Sequence, residues 1–212
     1  MKNIRENFTD YLKTKYKNLE LENINKCSNI KRHTKPIMAE YVENSIAILL
    51  NDILGKKYDY IIDSQISVDD KKIVRPDIII CDKNNIIHGI IEVKAQLGYS
   101  KIDPEKYNKK NNEIKEASNN NKLKINNKTS GDDSNKEKVS MKVSEDCIDC
   151  VFILTDHNNH WNFKNLEEQK DINYFVLFKG EKIWYNNIDA TKLNKDKDGF
   201  DSFVEFISRI KN

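Results

Sequence analysis

The sequence predicts an α/β domain in which a central mixed sheet is flanked by helices and a Lys/Asn-rich insertion interrupts the chain. Three observations carry this. Apolar residues recur at helical spacing in residues 2–18, 34–55 and 203–210. Short β-branched runs stand between these segments, at 59–68, 73–81, 86–95 and 151–155. In the run 73–81, Ile78 and Ile80 face one side while Ile79 and Cys81 face the other. A strand apolar on both faces belongs in the middle of a layered domain.

The elements follow in order. Ile4, Phe8, Tyr11, Leu12 and Tyr16 mark one face of a first helix, and residues 19–33 read as a loop. A second helix begins near Thr34, with Pro36 in its first turn, where a missing N–H costs nothing. Met38, Val42, Ile46, Leu49 and Ile53 form its buried stripe, and Gly55 ends it. A strand over 59–68 places Tyr60, Ile62, Ile66 and Val68 on one face, interrupted by Ser64. After a turn at 69–72, strands at 73–81 and 86–95 form a hairpin across Asp82-Lys83-Asn84-Asn85, where Asn tolerates positive φ. One helix runs from Pro104 to about Ser118. Residues 119–138 bury too little apolar surface to offset their ordering entropy, which predicts a mobile stretch. A buried strand begins at Cys150, a hairpin joins 174–178 to 182–185 across Lys179-Gly180-Glu181, and Phe203, Phe206, Ile207 and Ile210 mark a closing helix. The 212 residues thus divide into an N-terminal helical arm (1–33), a helix and hairpin (34–100), the insertion (101–144), and the remaining strands with the last helix (145–212).

Net charge is +2, but it is unevenly spread. Residues 1–36 carry nine Lys/Arg against four Asp/Glu, and the following segments 37–100, 101–144 and 145–212 carry −3, +4 and −4. Basic arms flanking an acidic middle suit a phosphate-binding protein with a metal-seeking centre, and equally an Asn/Lys-rich proteome. No run approaches the roughly 20 apolar residues of a membrane span, and the N-terminal residues lack the apolar core of a signal peptide. The expected location is cytoplasmic, with the four cysteines reduced. No Gly-rich phosphate loop is present, so no nucleotide cofactor is expected.

The hairpin carries the chemistry. A two-residue turn at Asn84-Asn85 places Lys83 opposite Ile86, Cys81 opposite His88, and Asp77 opposite Glu92. Opposed residues hold their Cβ atoms about 4.5–5.5 Å apart. Lys94, two residues beyond Glu92, projects from the same face. Opposed carboxylates repel, so the pair gives a structural hairpin nothing. A divalent cation turns the repulsion into coordination, since Mg2+ takes one or two carboxylates together with waters and substrate phosphate. Lys94 then orients the attacking water or neutralises charge on the transition state.

Pro76-Asp77, fourteen residues, then Glu92-Val93-Lys94 resembles the P-D…(D/E)-x-K motif of restriction-endonuclease-like nucleases. The order of helix, strand, motif hairpin, helix and further strands over 34–185 is similar to that family's core. The resemblance implies a restriction-endonuclease-like fold in which Asp77 and Glu92 hold Mg2+, or Mn2+ in its place, helped by the Val93 carbonyl. Lys94 is then the catalytic lysine. It further implies a carboxylate on the helix before the hairpin. Glu43 fits through Glu43-x-x-Ile46-x-x-Leu49, and Glu40 lies one turn earlier. The run from Glu92 to Tyr99 also looks like the stretch after this motif in some restriction and phage nucleases, which makes Gln96 and Tyr99 candidates for substrate contact. Lys31 and Arg32 are candidates for backbone phosphate, against a solvated loop.

The expectation is therefore a Mg2+-dependent endonuclease acting on double-stranded DNA. The absence of an ATPase or partner domain points to a type II restriction enzyme working as a homodimer. Two alternatives stay open: a junction-resolving repair nuclease of the same fold, and an inactive nucleic-acid-binding or interaction module. Cys147-x-x-Cys150 and His157-x-x-His160 have zinc-like spacing. A strand over 151–156 separates the pairs by roughly 20 Å, too far for one ion. His88 reads as a satisfied core histidine, and Trp161 and Trp184 as packing residues.

Overall fold

The computed structural model describes residues 2–18, 30–32, 40–69, 72–94, 103–127, 137–156, 172–180 and 188–211. In chain order these form α1 (Lys2–Asn18), β1 (Ile30–Arg32), α2 (Glu40–Leu54), β2 (Asp59–Ile62), β3 (Ile66–Ser67), β4 (Ile73–Val74), β5 (Ile78–Cys81), β6 (Ile86–Lys94), α3 (Pro104–Asn119), β7 (Lys124–Asn127), β8 (Glu137–Ser140), β9 (Lys142–Thr155), β10 (Tyr174–Phe178) and α4 (Phe200–Ser208). The main sheet has the spatial order β1-β2-β5-β6-β9-β10. It is mixed: β2, β5 and β6 run antiparallel to their neighbours in that set, while β1 lies parallel to β2, and β9 and β10 lie parallel to β6 and to each other.

Alternation along the strands sorts side chains into two cores. Tyr60, Ile62, Ile78, Ile80, Ile91, Val93, Phe152 and Leu177 pack on one face against α1, α2 and α4. Ile61, Ile79, Ile90, Val151, Ile153 and Val176 face the other way, towards α3 and a second small sheet. The helices meet this demand at 3.6-residue spacing. Phe8 and Leu12 of α1 are buried, as are Val42, Ile46, Leu49 and Ile53 of α2. Gly55, at φ +80°, closes α2 as its sequence position predicts. Asp103 caps α3 by accepting the Lys106 N–H at 3.1 Å, and Pro104 occupies the first turn. None of the described helices is long and apolar enough to cross a membrane.

Several elements differ from expectation. The stretch 19–33 contains β1, which joins the sheet by pairing with β2. Pro36 and Met38 lie outside the described residues, so the predicted start of α2 does too. The strands expected at 59–68 and 73–81 are each divided in two. Tyr60 pairs with Ile80 and Ile66 with Val74, so one register runs through both halves. The ribbon bends between them, carrying β3 and β4 out of the main sheet into a second one of order β4-β3-β7-β8. Two residues account for the bend. Asp63 sits at φ +48°, and Pro76 has no N–H with which to extend a ladder. Tyr60 and Ile62 therefore fill one core while Ile66 and Val68 fill the other.

The insertion is more structured than its composition predicts. β7 and β8 pair with each other, and β7 with β3. Leu123, Ile125 and Met141 are buried against Ile66, Val68 and Val74. A few apolar residues in a polar tract suffice once a neighbouring ladder supplies a partner. Residues 128–136 lie outside the described set. The strand expected from Cys150 begins at Lys142 and runs to Thr155, with its pairing to β6 interrupted between Val143 and Ile148. Cys147 and Cys150 pack into different cores from that one strand, and burial pushes the Cys147 thiol up to about 12. His157, His160, Trp161, Trp184 and the strand expected at 182–185 lie outside the described residues.

The hairpin turn also differs. Asp82 N–H donates to the Ile86 carbonyl at 3.0 Å, and Asn85, at φ +62°, donates to the Asp82 carbonyl at 3.1 Å. The loop thus holds three residues, Lys83-Asn84-Asn85, rather than two. Cys81 pairs with Ile87, not His88. His88 is the extra residue of a β-bulge, half-exposed, with Nε2 3.2 Å from Asp82 Oδ2 and its ring against Tyr58. It is not a core histidine. Beyond the bulge Ile80 pairs with Gly89 and Ile78 with Ile91, which is the register expected from the shorter turn.

Asp82 holds this turn together. Its Oδ1 accepts the N–H groups of Asn84 at 2.8 Å and Ile86 at 3.0 Å. Burial tends to raise its pKa, but the Ile86 N–H, His88 and the Asn84 N–H outweigh that and hold the carboxyl below its usual range. A depressed folded-state pKa stabilises the fold above about pH 4 and ceases to do so as pH falls through the folded value. Asp82→Ala is expected to cost about 1–2 kcal/mol at pH 7 in urea unfolding. The gap from the parent should shrink on acidification below pH 4.

Candidate active site

Three side chains converge where β5 begins and β6 ends. Two steps beyond the Ile79–Ile90 pair, the ladder sets Asp77 opposite Glu92. Both point to the α3 side of the sheet, as does Lys94. Asp77 occupies the bend after Pro76, where β5 has not yet begun, and its Oδ2 accepts the Val93 N–H at 2.7 Å. A side chain thus takes the hydrogen bond that a ladder carbonyl would have received. Val93 points its own carbonyl to the same edge as its N–H. The residue across from it in register is Pro76, which has no N–H to offer. The proline therefore leaves the Val93 carbonyl facing the site.

The carboxylate of Glu92 is clasped by two cations. Lys94 Nζ donates to Oε1 at 2.7 Å, and Lys110 Nζ, from α3, donates to Oε2. Glu92, Lys94 and Lys110 have side chains only 18–19% exposed, so these contacts are screened far less than surface ion pairs. The electrostatics split the two acids. Burial and the Glu92 charge push Asp77 up to about 6, against the opposing pull of the Val93 N–H, Lys94 and Lys110. Burial also acts to raise Glu92, but Lys110 and Lys94 outweigh it and hold Glu92 below the usual carboxylate range. Lys94 is held above its usual value. Burial works to lower it, and Glu92, Asp77 and Glu43 overcome that.

The remaining candidates are placed less fully. Glu43 stands on α2 within electrostatic reach of Lys94. Glu40 opens α2, and its side chain lies outside the described set. Lys31 and Arg32 lie on the edge strand β1, with Arg32 level with Ile62 and, through it, with Ile78. Their backbone is thus at the site end of the sheet, and their side chains lie outside the described set. Gln96 and Tyr99 also lie outside the described residues.

Lys110 was not anticipated from sequence. In the structure Tyr107, Asn111 and Ile114 are buried at helical spacing, and Lys110 sits on that stripe, three residues after Tyr107 and four before Ile114. A Lys/Asn-rich tract hides such a residue, because nothing local separates it from Lys106 or Lys109.

Among the described residues no group of three or more His, Cys, Asp or Glu side chains gathers as a closed metal site requires. The donors present are of another kind: two opposed carboxylates, one of them raised by burial and by the other's charge, and a carbonyl on the strand edge beside them. That set fits Mg2+ or Mn2+, which keep waters and share substrate phosphate, rather than zinc, which seeks N and S ligands. Comparison with protein-family models, curated proteins and solved structures finds no match.

The crowding of Asp77 and Glu92 has a measurable cost. A carboxyl raised above its unfolded pKa stabilises the fold only while protonated; the contribution is full below about pH 4 and is lost as pH rises through about 6. Asp77→Asn keeps an oxygen for the Val93 N–H and removes the repulsion. In metal-free buffer at pH 8 this variant is expected to be more stable than the parent by about 1–2 kcal/mol. The advantage should disappear below pH 5. Denaturant unfolding at the two pH values checks it, and a less stable variant at pH 8 refutes the tension.

Proposed function

We propose that the protein is a divalent-metal-dependent nuclease that hydrolyses phosphodiester bonds of double-stranded DNA, with Asp77, Glu92 and Lys94 at its centre. One observation carries the reading. Two carboxylates are held face to face at the end of an apolar hairpin, with an ammonium on the same face, and only a cation makes that arrangement useful. The order of α2, β2, the β5–β6 hairpin, α3 and β9 supports it, since the motif resemblance implies helix, strand, hairpin, helix and strand.

A bound divalent ion supplies charge to the scissile phosphate and acidifies a water. The residues of the chain do the rest. Asp77 and Glu92, with the Val93 carbonyl, offer hard oxygens. The Val93 N–H fixes the rotamer of Asp77, leaving its Oδ1 for coordination. Lys94, kept protonated by Glu92, Asp77 and Glu43, holds positive charge where negative charge grows on the phosphorane-like transition state. Glu43, on α2, would hold an outer water or a second ion. Restriction is the role we assign within this class, with a homodimer as the unit that cuts both strands.

Purified protein with Mg2+ is expected to cut linear duplex DNA into discrete bands on a gel. EDTA should stop cutting, and Asp77→Ala and Lys94→Ala should each slow it by about 100-fold or more. Retention of parental activity by Asp77→Ala removes the assigned site. Selective cutting of branched over linear duplexes replaces restriction with junction resolution.

A further inference from the structure

Without a metal ion the two acids of the site, Asp77 and Glu92, are balanced by two lysines, Lys94 and Lys110. Lys94 alone suffices to partner Glu92, through Oε1. Lys110 occupies Oε2, one of the oxygens that an ion held by Asp77 and Glu92 requires. It reaches there because α3 is pinned on both sides of it. Tyr107 Oη donates to Asp149 Oδ1 at 3.2 Å, and Lys115 Nζ donates to Asp149 Oδ2 at 3.2 Å. Lys106 and Lys109, on the same turns of α3, are exposed to solvent. They add positive charge to the helix that carries Lys110, open to a phosphate backbone.

We infer that Lys110 is a second cationic residue of the nuclease site, parked on Glu92 until a divalent ion takes that oxygen and then handed to a DNA phosphate. This rests on the nuclease reading above. Two ammonium groups and a divalent ion exceed the charge of Asp77, Glu92 and Glu43, the acids that act on Lys94, by one unit. The excess is relieved when Lys110 leaves Glu92 and pairs with an anionic phosphodiester. Its stem is long enough to swing while α3 stays docked through Asp149.

The test measures ion binding and cutting separately on the full chain. Calorimetric titration with Mn2+, without DNA, is expected to show Lys110→Met binding the ion roughly tenfold tighter than the parent, one pKa unit's worth of removed competition. At saturating Mn2+ the same variant should cut duplex DNA at least about tenfold slower, and Lys110→Arg should recover most of the rate. Opposite movement of the two readouts separates a parked cation from a packing residue. Lys110→Gln provides the same comparison if Lys110→Met lowers the melting temperature. If Asp77→Ala weakens Mn2+ binding while both Lys110 variants leave it unchanged or weaker, the parking is wrong and the nuclease reading stands. If the Lys110 variants cut at the parental rate, the hand-over is wrong. If neither Asp77→Ala nor the Lys110 variants alter Mn2+ binding, the metal site itself fails.

Discussion

Pairing between β5 and β6 sets everything at the site, because a strand that slips by one residue turns every side chain to the opposite face. Here the pairing is secured twice. Isoleucines on both faces of β5 bury it between two cores, and the Asp77 side chain pins it to β6 by accepting the Val93 N–H at 2.7 Å. Near the turn the register is nevertheless displaced by one, since the loop has three residues. The bulge at His88 absorbs the displacement before the ladder reaches Ile80 and Gly89. Asp82 holds the turn and His88 together, and so acts on the site from its far end without touching it.

Pro76 and Asp77 work as a unit. The proline stops the β5–β6 ladder at the point where the chemistry begins and releases the edge of Val93. The aspartate then captures the Val93 N–H with its side chain. The same proline, with Asp63 across the β2–β5 pair, bends the ribbon out of the main sheet. The Asp63 N–H donates to the Asp77 carbonyl at 2.8 Å, so the backbone of Asp77 is tied to β2 while its side chain is tied to β6. A residue fixed from two strands can be held beside another carboxylate despite their repulsion.

How far the sequence discloses this follows from which interactions are local. The helices α1, α2 and α4 are legible because their apolar spacing is strong, and the β5–β6 hairpin because its strands are almost wholly apolar. The facing of Asp77 and Glu92 follows from the positions of strands and turn, although the turn is one residue longer than expected and only the bulge makes the two errors cancel. The division of 59–68 and 73–81 between two sheets is not legible, since β2 and β3 have the same alternation whichever sheet they join. Only a partner decides, and that partner, β7, lies nearly sixty residues further on in a tract whose composition alone predicts disorder. Lys110 is hidden for the same reason: its role depends on how α3 lies across β9, which no local pattern encodes.

The inserted region therefore has a structural task beyond bridging two parts of the main sheet. α3 rests on β9 through Tyr107, Asp149 and Lys115, and on the second core through Ile114 and Ala117. That second core exists because β3 and β4 turn away at Asp63 and Pro76 and meet β7. The bend that frees Asp77 and Val93 thus also builds the platform that carries Lys110 back to Glu92. The place of Asp77 and the reach of Lys110 thus follow from one deformation of one ribbon, which ties the charge balance of the site to the path of the backbone.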